Sequence, residues 1–264
     1  MLIVGERINS SRKNIEPSIR DRDAEFILKE AKNQVDAGAH VIDVNTATLM
    51  EKEVESLKWA AQLIQDSLNV PICIDSPNPI AVEAALPLCK QKAMVNSITA
   101  EKERYTKLIP LIKKFKCNVV GLCLDDRGMP ETAEDRIRIA SDLIGKLTQD
   151  GVPLDDVYVD LVVTPISTNT RNGMAVLDAI EAIMKKFPGV HTICGLSNVS
   201  FGLPNRKQLN QIFLVMAMTK GLDAVILDPC DRRIMANLIT TMTLSGKDDY
   251  CMNYLMAFRQ GKFD

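Results

Sequence analysis

The stretch VHTICGLSNVSFGLPNRKQLNQIFLVMAMTKGLDAVIL, residues 190–227, decides the fold. It opens on a uniformly apolar run, Val190 to Gly195, and closes on another, Ala224 to Leu227. Between them Leu209, Ile212, Phe213 and Met216 recur at i, i+3, i+4 and i+7, which is one face of a helix. Met216 reads as part of that core stripe rather than as a soft contact to a cofactor. Gly221 punctuates the helix end. The stretch is therefore a strand–helix–strand unit. Its strands are apolar throughout rather than alternating, which suits parallel strands covered on both faces.

Working outward, six more runs of this kind come first: Leu2 to Gly5, His40 to Val44, Pro71 to Ile74, Ala93 to Val95, Asn118 to Leu124 and Val157 to Val159. Helical spacing returns between them, in Ala24, Leu28, Ala31 and Val35 and again in Ile137, Ala140, Ile144 and Leu147. Gly38, Gly151 and the Pro188–Gly189 pair mark further helix ends. Eight such units in 264 residues match a (β/α)8 TIM barrel, which takes about 250 residues. No linker-like stretch divides the chain, so residues 1–264 read as a single α/β domain. A doubly wound open sheet has the same alternation, but no G-x-G-x-x-G follows any of the apolar runs.

Composition removes several functional classes. Hydrophobic residues make up 46% and charged residues 25%, which excludes a disordered or fibrous chain. The net charge of −2 provides no basic field for a nucleic-acid backbone. No apolar stretch approaches the roughly 18 residues of a membrane span. The start, MLIVGERINSSRK, lacks a basic region followed by an apolar core and a small-residue cleavage site, so a cytoplasmic protein is expected. The seven cysteines are odd in number and form no C-x-x-C pair. Cys73, Cys117, Cys123 and Cys194 sit in strand-like runs and read as reduced core thiols. His40 and His191 are the only histidines, too few for a multi-histidine zinc site.

Barrel chemistry sits at the C-terminal ends of the strands. Just past the runs come Glu6, Arg7 and Asn9; Asp43 and Asn45; Asp75 and Ser76; Asn96 and Ser97. The second half of the chain adds Asp125 and Asp126; Asp160; Gly195, Ser197 and Asn198; and Asp228. A single Asp or Asn here would be an ordinary cap or turn former. Asp43, Asp75 and Asp160, however, end or interrupt apolar runs, and a buried carboxylate is costly unless paired. Three carboxylates could hold Mg2+, although no D-x-D pattern or histidine joins them, so no metal site is assigned. A flat heterocycle with a two-donor edge, such as a 2-amino-4-oxopyrimidine, would satisfy them equally, with Asn meeting the mixed edge. Charge runs such as Glu101 to Arg104 read as solvated helix faces.

The same residues fall into GERIN (5–9), DVNT (43–46), IDS (74–76), VNSI (95–98), Asp160 and GLSNVSFG (195–202), in that order. This ordered set resembles the pterin-binding methyltransferase family. It is similar to the methyltetrahydrofolate:corrinoid protein methyltransferases and to the folate domain of cobalamin-dependent methionine synthase. The resemblance implies a homodimeric barrel that takes 5-methyltetrahydrofolate or tetrahydrofolate as substrate and holds no tight metal. It implies that Asp75, Asn96 and Asp160 hold the pterin, together with Asp43, Gly195 and Ser197. It implies that Asn198 lies close to N5, where the methyl group is exchanged with the cobalt of a corrinoid (cobalamin) on a separate partner protein. A tertiary amine leaves poorly, so positive charge must develop at N5. Asn198 can supply a hydrogen bond that strengthens as N5 gains its proton.

Two departures narrow that reading. Phe201 stands where the acetogenic enzymes carry a polar Gln, and LVVTPISTNTRNG after Asp160 also differs from their form. Both fit a second methyltransferase serving demethylation of methylated compounds rather than acetogenic carbon fixation. Phe201 and Arg206 are expected contacts for the folate tail or the corrinoid protein, and Arg7 is expected to pair with Asp228. Two other readings are a non-catalytic folate-binding subunit of a corrinoid complex and a dihydropteroate synthase-like enzyme. The second is disfavoured because YVDLVVTPIS carries no glycine or lysine for a pyrophosphate.

Overall fold

The computed structural model describes residues 1–263, so Asp264, the last residue of the expected domain, lies outside them. Eight strands alternate with helices: β1 (Leu2–Asn9), α1 (Ile15–Arg20), α2 (Ala24–Asp36), β2 (Val41–Asn45), α3 (Glu53–Ser67), β3 (Ile72–Asp75), α4 (Pro79–Ala85) and β4 (Met94–Thr99). They continue as α5 (Lys102–Phe115), β5 (Asn118–Leu122), α6 (Ala133–Gln149), β6 (Val157–Asp160), α7 (Asn172–Lys186) and β7 (His191–Ile193). The last elements are α8 (Arg206–Thr219), β8 (Ala224–Leu227), α9 (Arg232–Leu244) and α10 (Met252–Arg259). The strands are all parallel, in the order β7-β6-β5-β4-β3-β2-β1-β8. A bridge between Gly195 and Ile226, with the Ile226 N–H donating to the Cys194 carbonyl at 2.9 Å, joins the two ends. The fold is thus a (β/α)8 barrel.

Two apolar layers hold it. The larger lies between strands and helices, where Ile27, Leu57, Ile64, Leu143, Leu177 and Leu214 are all fully buried or nearly so. The smaller fills the inside of the barrel with one or two residues from each strand, among them Val4, Val41, Cys73 and Met94. Gly38 and Gly221 end α2 and α8 with φ of +111° and +110°, a conformation that costs glycine little. The cysteines are free, with Cys73, Cys117, Cys123 and Cys194 buried.

The structure corrects three readings. β1 runs on to Asn9, so Glu6, Arg7 and Asn9 lie in the strand; a register shift between Gly5 and Ile8 lets it continue. On α8 the buried residues are Phe213, Leu214, Ala217 and Met218, whereas Ile212 and Met216 are 55% and 40% exposed. The helix is apolar on more than one side, so the i, i+3, i+4, i+7 spacing picked the wrong set. Arg104 is not simply solvated: it donates to the carbonyls of Ser97, Ser76 and Pro77 at 2.8, 3.0 and 2.6 Å, tying the ends of β3 and β4 together.

Candidate functional site

The site follows from the period of a strand. Val4, Val41, Cys73, Met94, Tyr158 and Ile193 point into the barrel and form its apolar plug. Two residues on, the same inward face carries Glu6, Asp43, Asp75, Asn96, Asp160 and Gly195. Every one of these lines a cavity of about 650 Å³ at the C-terminal mouth of the barrel, with Ile226 beside them. An apolar layer thus supports a polar one, and acceptor groups dominate the polar layer.

Its electrostatics are strained. Asp43 is 2% exposed, and its Oδ1 has no hydrogen-bond partner. Burial, and then the charge of neighbouring Asp75, push its carboxyl well above the usual range. Asp75 is raised by burial, against a 2.8 Å hydrogen bond from the Asn45 amide and the positive charge of Arg104. Burial raises Asp160 to about 6, against hydrogen bonds from the backbone of Val162 and Gly195. Burial also raises Glu6, partly offset by Arg12 and Arg206. Four carboxyl groups therefore line one cavity, with Arg12 and Arg206 at its mouth and Arg104 beside Asp75. Such a floor calls for a ligand that donates several hydrogen bonds or carries positive charge.

Asn198 sits in a short 3-10 helix, Leu196–Ser200, that Leu196 and Val199 anchor in the core. Asn198 itself lines the cavity. A side chain at Gly195 would place its Cβ 3.3 Å from the Asn198 amide nitrogen, so glycine there gives Asn198 its room. Arg206, the first residue of α8, donates to the Ser197 carbonyl at 2.7 Å and to the Ser200 hydroxyl at 3.1 Å. Its guanidinium lies 5.7 Å from the Phe201 ring centre. Arg206 thus braces the Asn198 loop while lining the cavity, and Phe201 stands outside it, 65% exposed.

Sequence reasoning missed Arg136. It is fully buried, on α6, and donates to the carbonyls of Leu161 and Val162 at 2.9 and 3.2 Å and to the Thr164 hydroxyl at 3.2 Å. Val162 has φ +58°, a costly conformation for a β-branched residue. Arg136 and the 2.8 Å bond from the Val162 N–H to Asp160 Oδ1 hold that turn, and with it the carboxylate. Arg12, Lys207 and Asn210, also overlooked, complete the mouth. No sequence signal singled out Arg136, whereas Glu6, named among the rim residues from the sequence, does line the cavity.

Other rim residues do not join the site. Asp125 pairs with Arg138 at 2.9 Å, and Asp228 with Arg7 at 3.0 Å and Arg12 at 3.5 Å. Arg7 also holds Glu30 at 2.7 Å. Ser76 donates its hydroxyl to Glu53 at 2.5 Å. The described residues contain no cluster of three or more His, Cys, Asp or Glu arranged to hold a metal ion, and no helix long and apolar enough to cross a membrane.

Comparison with known proteins agrees with this geometry. A family described as pterin binding enzyme matches residues 5–228. The chain is 35% identical over 264 residues to a methylcorrinoid:tetrahydrofolate methyltransferase of Eubacterium limosum, covering 99% of this chain and 97% of that one. It is 30% identical over 239 residues to the methionine synthase of Mycobacterium tuberculosis, which is 86% of this chain and 20% of that enzyme. A dihydropteroate synthase of Yersinia pestis superposes with a TM-score of 0.71 at 14% identity, over 93% of this chain and 94% of that one. One from Clostridium difficile gives 0.70 at 18% identity, over 92% and 96%. At such identities these two structures show the fold alone.

Proposed function

The chain belongs to the pterin-binding enzyme family and is a methyltransferase of it, and from that premise we propose that it moves a methyl group between a corrinoid and tetrahydrofolate. The corrinoid is a substrate, carried by a separate protein. The observation that carries this reading is the acceptor-rich floor around the unpartnered Asp43 oxygen. The 2-amino and ring N–H groups of a pterin supply the donors that floor lacks. Asp75, Asn96 and Asp160 hold the ring, Asp43 lies beneath it, and Gly195 and Ser197 border it beside Ile226.

In this reading Asn198 is the catalytic residue. Its amide faces N5 and accepts a hydrogen bond from the protonated nitrogen. The carboxylates add negative potential that favours a cationic ring. Cobalt of the corrinoid supplies the other half of the exchange, as acceptor or donor of the methyl group. Phe201 and the Arg206 side chain beneath it form the lip that meets the corrinoid protein. Transfer towards tetrahydrofolate, in demethylation of methylated compounds, is supported by Phe201 and by the activity for which the Eubacterium limosum relative is named.

The same reading includes a cytoplasmic homodimer, with residues 1–264 as one barrel domain. Exposed Ile212 and Met216 on α8 and Leu255, Met256 and Phe258 on α10 supply apolar surface for a second copy. The test of function is anaerobic mixing of the purified protein with methyltetrahydrofolate and cob(I)alamin. Loss of the cob(I) absorption with growth of methylcob(III)alamin is the expected result. Tight folate binding with no conversion, even with cognate corrinoid proteins, would instead mean a binding subunit.

A further inference from the structure

Between β6 and α7 the chain runs as TPISTN, residues 164–169, and the methyl transfer gives this segment no part. Both of its ends are fixed. Arg136 donates to the Thr164 hydroxyl at 3.2 Å, and Asn172, the first residue of α7, donates its amide to the Pro165 carbonyl at 2.8 Å. The Thr168 hydroxyl donates to the same carbonyl at 2.9 Å. From these anchors the segment reaches across to the Asn198 loop. The Ile166 N–H donates to the Val199 carbonyl at 3.0 Å, and the Ser167 hydroxyl donates to the Phe201 carbonyl at 2.7 Å. Gly202 permits the second bond: its φ is +81°, and a Cβ there would lie 3.3 Å from the Ser167 Oγ.

These contacts bear on Asn198. Among the described residues its side chain finds no hydrogen-bond partner, so the backbone beneath it sets its direction. Arg206 fixes the residue before it, through the Ser197 carbonyl. After it, the Phe201 N–H donates to the Asn198 carbonyl at 3.1 Å, and the Phe201 carbonyl is the one that Ser167 holds. Ser167 is therefore two hydrogen bonds away from the Asn198 main chain, although it does not itself line the cavity.

We propose that Ser167 is a positioning residue for the methyl transfer, holding through the Phe201 carbonyl the turn that aims the Asn198 amide. The inference rests on the reading of Asn198 as the catalytic residue. A hydrogen bond that stabilises a transition state acts only within a narrow range of distance and angle. An amide with no partner of its own shifts with its backbone, and a displacement of about 1 Å can cost up to about 100-fold in rate. In that reading Asp75, Asn96 and Asp160 hold the ring from other strands, so losing the Ser167 bond should leave folate affinity nearly intact. The bond itself is exposed and adds only modestly to stability.

The test is a set of variants in anaerobic mixing with methyltetrahydrofolate and cob(I)alamin. Ser167→Ala should lower kcat about tenfold, with the folate KM changed less than about twofold. Ser167→Thr keeps the hydroxyl and should restore kcat. Combined with Asn198→Ala, the Ser167→Ala change should add no further loss, because it acts through that residue. The melting temperature should move by no more than about 4 °C, which separates a misaligned site from an unfolded one. An unchanged kcat in Ser167→Ala beside a large loss in Asn198→Ala would overturn this inference alone. So would losses that multiply in the double variant, or a Thr variant as slow as the Ala variant. An effect confined to KM for a corrinoid protein would overturn it too, and would assign Ser167 to the Phe201 lip. Full activity of Asn198→Ala would overturn the assignment of the catalytic residue as well.

Discussion

Replacing Asp160 by Asn should stabilise the protein while destroying its affinity for folate. Burial raises the Asp160 pKa from 3.8 to about 6. A raised carboxyl means that the folded state binds more protons than the unfolded one between those values. Stability therefore falls as pH rises through that window, and the full cost is present above about 6. A shift of roughly two units at about 1.4 kcal/mol each is worth about 3 kcal/mol at pH 8. Because the carboxylate borders an open cavity, that is an upper figure. Asn keeps one acceptor, so the Val162 N–H at 2.8 Å retains its partner. The Gly195 N–H loses its own, at a cost of about 1–2 kcal/mol. The net gain is about 1–2 kcal/mol at pH 8, or roughly 2–8 °C in melting temperature. At pH 5 the charge contribution is about half as large and the gain should fall close to zero. Urea denaturation of both proteins at pH 8 and pH 5 measures this. An Asp160→Asn protein less stable than the parent at pH 8, or a difference indifferent to pH, would refute the reasoning.

Four further outcomes are expected. Asn198→Ala should lower methyl transfer by roughly 10- to 1000-fold in stopped-flow spectra, the span of a lost transition-state hydrogen bond, and an unchanged rate would remove Asn198 from the chemistry. Folate affinity should fall about tenfold between pH 7 and pH 5 as Asp160 protonates through a pKa of about 6, which titration calorimetry reads directly. Arg136→Met leaves the Leu161 and Val162 carbonyls buried and unpaired, so the urea midpoint should drop by the equivalent of about 2–4 kcal/mol and folate binding should weaken with it. His191 has a raised pKa, chiefly from its 2.6 Å bond to Asp223. Its contribution is complete below pH 6.5 and lost as pH rises above the folded value, and His191→Gln should flatten that part of the stability curve.

Most of the scaffold was legible because a parallel barrel writes itself as short apolar runs. All eight runs proved to be strands, and their ends were misjudged by a few residues, too short where polar side chains continue a strand and too long at Leu124 and Gly195, where apolar or small residues run past the ends of β5 and β7. Glu6, Asn96 and Asp160 are such cases: the strand persists, but its inward face turns from apolar to polar. Composition alone cannot tell that change from the end of a strand. The α8 stripe failed for a different reason. A helix carrying apolar residues on two sides contains several sets at helical spacing, and only packing tells Phe213, Leu214, Ala217 and Met218 from Ile212 and Met216.

The side chains that position the site were hidden in a way no periodicity could reveal. Arg104 and Arg136 come from helices α5 and α6 and act on carbonyls at the ends of strands and in the loops after them, 7 and 25–28 residues away in sequence. In sequence each looks like a charged residue on a solvated helix. Their common role explains the pattern. The polar floor puts four acidic groups in one small cavity, which by itself favours swelling or protonation. The guanidiniums fix the backbone turns on which Asp75, Asn96 and Asp160 stand, and Arg104 also sets its positive charge near Asp75. The acids therefore stay in place and open towards the mouth, Asp43 with its Oδ1 unpaired, and in the proposed reading a donor-rich ring entering the cavity gains hydrogen bonds there. In the proposed reading the carboxyl groups buried in the barrel floor are the source of the folate affinity, which is why the Asp160 substitution should raise stability and abolish binding together.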